Sequence, residues 1–172
     1  MPLSAEILVR LKATQTGAND FGADSFSPTM EKLLQLTDGT TANKADILWI
    51  DQRTVSASSN DDIDLAGALS DAFGATVAGA ELVALFIING PRTGAANTTD
   101  LTIGGGSAPL TGFLGGTSPT IGPLKPGAFL MLAAGDAAGL GAITATTADT
   151  LRVANGSGAS ATYQIAVVAR TA

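Results

Sequence analysis

Apolar and polar residues alternate from the start of the chain: Leu3, Ala5, Ile7, Val9, Leu11 and Ala13 fall on one side, Ser4, Glu6, Leu8, Arg10, Lys12 and Thr14 on the other. A period of two predicts a β-strand with one face buried and the other mostly wet. Gly17 to Pro28 is polar and glycine-bearing and reads as a loop. Met30 to Leu36 reads as a strand in preference to one helical turn, and Asp38-Gly39 supplies the turn after it. Ala45 to Val55 carries the only tryptophan in Ile47-Leu48-Trp49-Ile50, a run apolar enough to be covered on both sides.

Asn60 to Ala75 predicts a short strand followed by a helical turn near residues 69–73, stopped by Gly74. Leu82 to Ile88 is the most hydrophobic run and predicts a central strand ending at Asn89-Gly90-Pro91. Thr98 to Ile103 predicts another, closed by Gly104-Gly105-Gly106. The next twenty residues read mainly as loop, with short strands around Leu110 to Leu114, before Pro126-Gly127 opens Ala128 to Leu132. Asp149 to Ala154 and Ala161 to Arg170 predict a last hairpin across Asn155-Gly156-Ser157-Gly158, with Tyr163, Ile165 and Val167 alternating against Gln164, Ala166 and Val168. Short apolar runs separated by Gly, Thr, Ser and Asn, with no heptad and no clean repeat, make the chain all-β.

At 172 residues the chain fits one domain. Histidine and cysteine are both absent, which excludes His- or Cys-ligated zinc, cysteine nucleophiles, Ser-His triads and disulfides. Fifteen acids against nine bases give a net charge of -6, opposite to the footprint of a phosphate-backbone binder, so no nucleic-acid partner is expected. The longest apolar stretches fall far below the ~18–20 residues of a membrane helix, and no membrane partner is expected. Met1-Pro2-Leu3-Ser4-Ala5-Glu6 lacks the basic start and apolar core of a secretory signal, so synthesis in a cytoplasm is the expectation. Charged residues are only 14%, against about 25% in ordinary soluble domains. They are unevenly spread: residues 101–172 hold two acids and three bases, and residues 1–100 hold the rest. A nearly uncharged second part resembles surface buried between subunits.

Asp61, Asp62 and Asp64, with Asn60 and Asp71, form the one acidic cluster and are the candidates for a hard cation. Counted from Asn60, a calcium loop would need glycine where Leu65 stands, so the cluster reads as a polar strand start with Asp71 near a turn. Gly104-Gly105-Gly106 and Gly115-Gly116 match neither a Walker loop nor a dinucleotide fingerprint and read as turns. A carboxylate pair would suffice for glycoside hydrolysis, but no motif marks one. Aromatic residues are 5%; Trp49, Tyr163, Phe73, Phe86 and Phe129 read as core rather than as a sugar platform. No catalytic, cofactor-binding or metal-binding residue is assigned, no cofactor is implied, and the chain is not expected to be an enzyme.

The segment Asp62 to Ala75, the apolar strand after it, the start Pro126-Gly127-Ala128-Phe129-Leu130, and the closing Asp149 to Asn155 with Tyr163-Gln164-Ile165 resemble a group of small virion structural proteins of tailed bacteriophages. The resemblance covers roughly residues 60–170 and rests on strand lengths and turns. It implies a head decoration, or cement, protein with a jelly-roll-like β-sandwich; residues 1–172 are expected to form that single domain, and residues 1–50, which carry no part of the resemblance, are expected as an attachment or oligomerisation segment. The implied partners are the major capsid protein and further copies of the chain as a homotrimer. The implied place is the outer capsid surface of the virion. A tail, baseplate or head-fibre subunit and a host-glycan-binding module are the alternatives.

Overall fold

The computed structural model describes residues 2–156 and 158–171. The chain opens with β1 (Ala5–Lys12), β2 (Gln15–Asn19), β3 (Gly22–Phe26), β4 (Thr29–Asp38) and β5 (Lys44–Ala45). It continues with β6 (Ile47–Val55), β7 (Ser59–Asp64), β8 (Ala66–Ser70), β9 (Thr76–Ala78), β10 (Glu81–Ile88) and β11 (Leu101–Gly104). The last strands are β12 (Thr120–Leu124), β13 (Phe129–Ala133), β14 (Gly141–Ala142), β15 (Thr150–Asn155) and β16 (Ala161–Arg170). The protein is all-β, as the alternation and turn chemistry predict.

Two antiparallel sheets make the body. One runs β13-β10-β16-β6, with β14 added to β10, and the other runs β12-β11-β15-β7. Apart from β8, β9 and β14, the eight body strands alternate between these sheets as in a jelly roll. The first, third, sixth and eighth form one sheet, and the second, fourth, fifth and seventh form the other. The core lies between them. Trp49, Leu85, Ile87, Tyr163, Ile165 and Val167 face Ile63, Leu101, Ile103, Leu151 and Val153, all buried. Burial alternates along β15 and along most of β16, which is why both read cleanly as period-two strands.

β10 departs from strict alternation. Leu82 pairs with Ala169 but Ala84 with Val168, so one extra residue is accommodated at Val83. Leu82, Leu85 and Ile87 face the core between the sheets, while Val83 and Ala84 both join a second cluster outside it. That phase change explains the unbroken apolar run: β10 serves two cores. The second cluster comprises Leu36, Ala45, Val83, Ala84 and Val168, with Leu3, Ala5, Ile7 and Leu34 packed on it. Of these, Ala5, Ile7, Leu34 and Leu36 belong to β1 and β4, which pair over eight positions from Ala5↔Leu36 to Lys12↔Thr29.

Four expectations are corrected. Residues 17–28 hold a hairpin, with β2 pairing β3 from Gln15↔Phe26 to Asn19↔Gly22. No helical turn forms near 69–73; β8 and β9 pair across a tight turn in which Asp71 Oδ1 accepts from the backbone N–H groups of Phe73 and Ala75, both at 2.8 Å. A carboxylate that bonds its own following backbone favours a turn over a helix. β15 and β16 are not hairpin partners, because β15 pairs with β11 and β7 and β16 with β10 and β6. The intervening turn therefore crosses from one sheet to the other, and Ser157 within it lies outside the described residues. Finally, Leu110 to Leu114 has no strand, and the strand of that region is β12. It returns from a glycine turn, where a Cβ on Gly104 (φ 98°) would stand 2.4 Å from the Pro119 carbonyl oxygen.

Candidate interaction surface

β1 to β4 form a two-stranded ribbon, bridged at its middle by Ala13 N–H to the Pro28 carbonyl (3.2 Å) and by the Thr14 and Ser27 hydroxyls (3.2 Å). At ~3.3 Å per residue the fifteen positions from Ala5 to Asn19 reach about 50 Å. Partners across an antiparallel pair share a face, so Ala5, Ile7, Val9 and Leu11 lie with Leu36, Leu34, Lys32 and Met30. The root half of this strip packs on the body through the second cluster. The tip half does not: Leu11 is 59% exposed and Met30 69%. The opposite face carries Leu8 and Leu33, also exposed, beside an exposed Arg10–Glu31 pair at 3.3 Å. Among the described residues, β2 and β3 make no substantial contact with any other element, and Phe21 and Phe26 stand in solvent.

The body sheet under the ribbon root presents a second uncovered region. Its outward residues form rows across the strands: Ala133–Ala84–Val168–Leu48, then Met131–Phe86–Ala166–Ile50, then Phe129–Ile88–Gln164–Gln52. The ribbon root covers Ala84 and Val168 in the first row. Ile50 and Phe129 are each 67% exposed, and Phe129 meets the half-buried Phe86 edge-on at a centroid distance of 6.2 Å. Ile47-Leu48-Trp49-Ile50 is thus covered on one side only, with Trp49 inside and Leu48 and Ile50 outside. Phe73 and Phe129 are likewise surface residues, not core, whereas Trp49 and Tyr163 are buried. A groove of about 500 Å³ runs along β1 over this sheet, lined by Leu8, Leu48, Phe86, Phe129 and Ala166 among others.

The root is fixed by Arg170, wholly buried at the end of β16. Its guanidinium donates to Glu81, to the Thr41 carbonyl at 3.0 Å, and to the Asp136 and Ala137 carbonyls at 2.7 and 2.6 Å. Thr41 follows β4, so this one side chain joins the ribbon root, a body loop and a central strand.

The acidic cluster is distributed among separate partners. Asp61 accepts a fork from Arg53 (2.7 and 2.8 Å) and the Tyr163 hydroxyl (2.7 Å) at the β6–β7 edge of the sandwich. Burial disfavours its charge, but the Arg53 and Tyr163 hydrogen bonds and the Arg53 charge together outweigh that and hold the carboxyl below its usual range. Burial, then the bond to Asp61, pushes the Tyr163 hydroxyl up. Asp62 takes a fork from Arg152 (2.6 and 2.7 Å), which lowers its carboxyl against a smaller burial effect. Asp64 accepts from the Ala66 N–H at 2.7 Å, and Asp71 closes its own turn. Among the described residues no three carboxylates are gathered as a cation site.

No site residue was assigned from sequence, and the surface that stands out structurally falls mainly where charge counting did not point. Among the described residues, ten of the eleven large exposed apolar side chains lie within residues 8–73, outside the charge-poor second part. The available signal was Leu8 on the polar side of β1, with Leu33 beside Leu34: apolar residues on both faces of a two-stranded element. Comparison of the chain with protein-family models, curated proteins and solved structures returned no significant match.

Proposed function

We propose that the chain is a structural protein of a tailed-bacteriophage virion: a capsid decoration, or cement, protein that binds the outer surface of the head and stabilises the shell by non-covalent contacts. The observation that carries this reading is the ribbon, which projects apolar residues on both faces from a rigid jelly-roll body. Contiguous apolar surface of that kind marks a protein partner. Cementing requires no bond-making chemistry; it requires a stiff scaffold and complementary contacts, and multivalent attachment raises avidity without new contacts. A homotrimer on the major capsid protein supplies that multiplicity, with the chain made in the host cytoplasm and carried on the virion exterior.

Purified protein added to undecorated heads tests this. Saturable binding at many copies per head, with heads that survive higher temperature, is the expected result. A handful of copies on a tail, baseplate or fibre, or specific binding on a glycan array without head binding, overturns it in favour of the corresponding alternative.

A further inference from the structure

The geometry points to a copy-to-copy contact in which the ribbon tip of one protomer lies on the uncovered outer sheet of the next. It rests on the contact-protein reading and names the surfaces that reading leaves open. Four observations converge. Ala5, Ile7, Val9 and Leu11 carry an apolar line along one face of β1, with Leu36, Leu34 and Met30 beside it and Lys32 interrupting the β4 side, and the root of this line already sits on the same sheet face in its own chain. The uncovered rows, led by Ile50 and Phe129, continue that face, so the tip meets on a neighbour the kind of surface its root meets at home.

Area agrees. A fully uncovered aromatic side chain offers roughly 150–250 Å². Val9, Leu11, Phe21, Phe26 and Met30 on the tip, with Leu48, Ile50 and Phe129 on the face, therefore present on the order of 1,000 Å² counted over both surfaces together, the size of a small specific contact, and each copy makes it twice, once as giver and once as receiver. Charge agrees as well. The tip carries Asp20 and Asp24 and no base between Gln15 and Phe26, while Arg92 sits at the polar end of the face, its backbone N–H bonded to Gln52 Oε1 at 2.7 Å. Lastly, a two-stranded ribbon with both faces in water is marginal alone, and β2–β3 finds no cover on its own body. Each copy gives one tip and receives one, so a reciprocal two-fold pair or a closed ring such as a trimer satisfies all of them.

The chain's lack of cysteine allows a direct test. Two full-length single variants of different tagged mass, Phe26→Cys and Ile50→Cys, are mixed under mild oxidation, while wild type and Leu11→Glu are compared by sedimentation. The expected results are an oligomeric wild type, a cross-link of mixed mass, and a self-dissociation constant weakened at least about tenfold in Leu11→Glu, with the melting temperature unchanged when both chains are compared at a concentration where they are monomeric. A monomeric wild type at tens of micromolar, cross-links only between two Phe26→Cys chains, or undiminished assembly of Leu11→Glu overturns the inference. A monomer that still binds heads would sink this contact and leave the decoration reading standing. An assembly made through tip and face that never binds a head would do the reverse.

Discussion

The ribbon and the body are written in the same code and end in opposite environments. β1 and β15 both alternate apolar with polar residues, yet Leu151 and Val153 are sealed between sheets while Val9 and Leu11 stand in water. Alternation specifies that a strand has an apolar face; whether something covers that face depends on a second layer. In the body, jelly-roll connectivity brings that layer from strands remote in sequence. In the ribbon the layer ends after Ile7, and the pattern runs on uncovered.

The sharpest way to break this contrast is to place the same charge in each region. Leu151→Asp inserts an unpaired carboxylate between the sheets and should cost about 4 kcal/mol or more, seen as loss of the cooperative melt. A native melt in that variant would mean the body core is misplaced. Next is the joint between the regions. Arg170→Met strands Glu81 and three carbonyls and should destabilise by about 3–5 kcal/mol in denaturant titration. It should also loosen hydrogen-exchange protection at the ribbon root before that of β11 and β15.

Asp61 tests the body alone. The Arg53 and Tyr163 hydrogen bonds hold its carboxyl below the usual carboxylate range, so its contribution is present above that range and is lost as pH falls through the lower folded-state value. Asp61→Asn should therefore cost about 1–3 kcal/mol at pH 7 and flatten the acid limb of a stability-pH curve below about pH 4. An unchanged acid slope would show that the Arg53 fork contributes nothing. The smallest effect belongs to the tip. Phe21→Ser should shift stability by less than about 0.5 kcal/mol at a concentration where the chain is monomeric. A larger loss there would mean that the tip folds back on its own body.

Strand positions were largely legible because burial on one side leaves a period of two, as in β10, β15 and β16. The ribbon was legible as β1 and β4 but not as a ribbon, since Gly17 to Pro28 carries the composition of a loop and its hairpin has no buried residue to mark it. Asp71 misled in another way: a turn closed by its side chain has the same Leu-Ser-Asp-Ala-Phe sequence as a helical turn, and only the pairing of Leu69 with Val77 separates them. The exposed Ile50 and Phe129 were hidden by their neighbours, because an apolar run reads as doubly buried whether or not a second layer arrives.

The seat of the ribbon root also sets a load path. Val83, Ala84 and Val168 lie on β10 and β16, the two inner strands of their sheet, and Arg170 anchors the root to the end of β16. The backbone itself runs from β4 through β5 into β6, an edge strand that a pull on the ribbon could peel one bond at a time; the seat on β10 and β16 diverts part of that load to strands hydrogen-bonded on both sides, where many bonds must shear together.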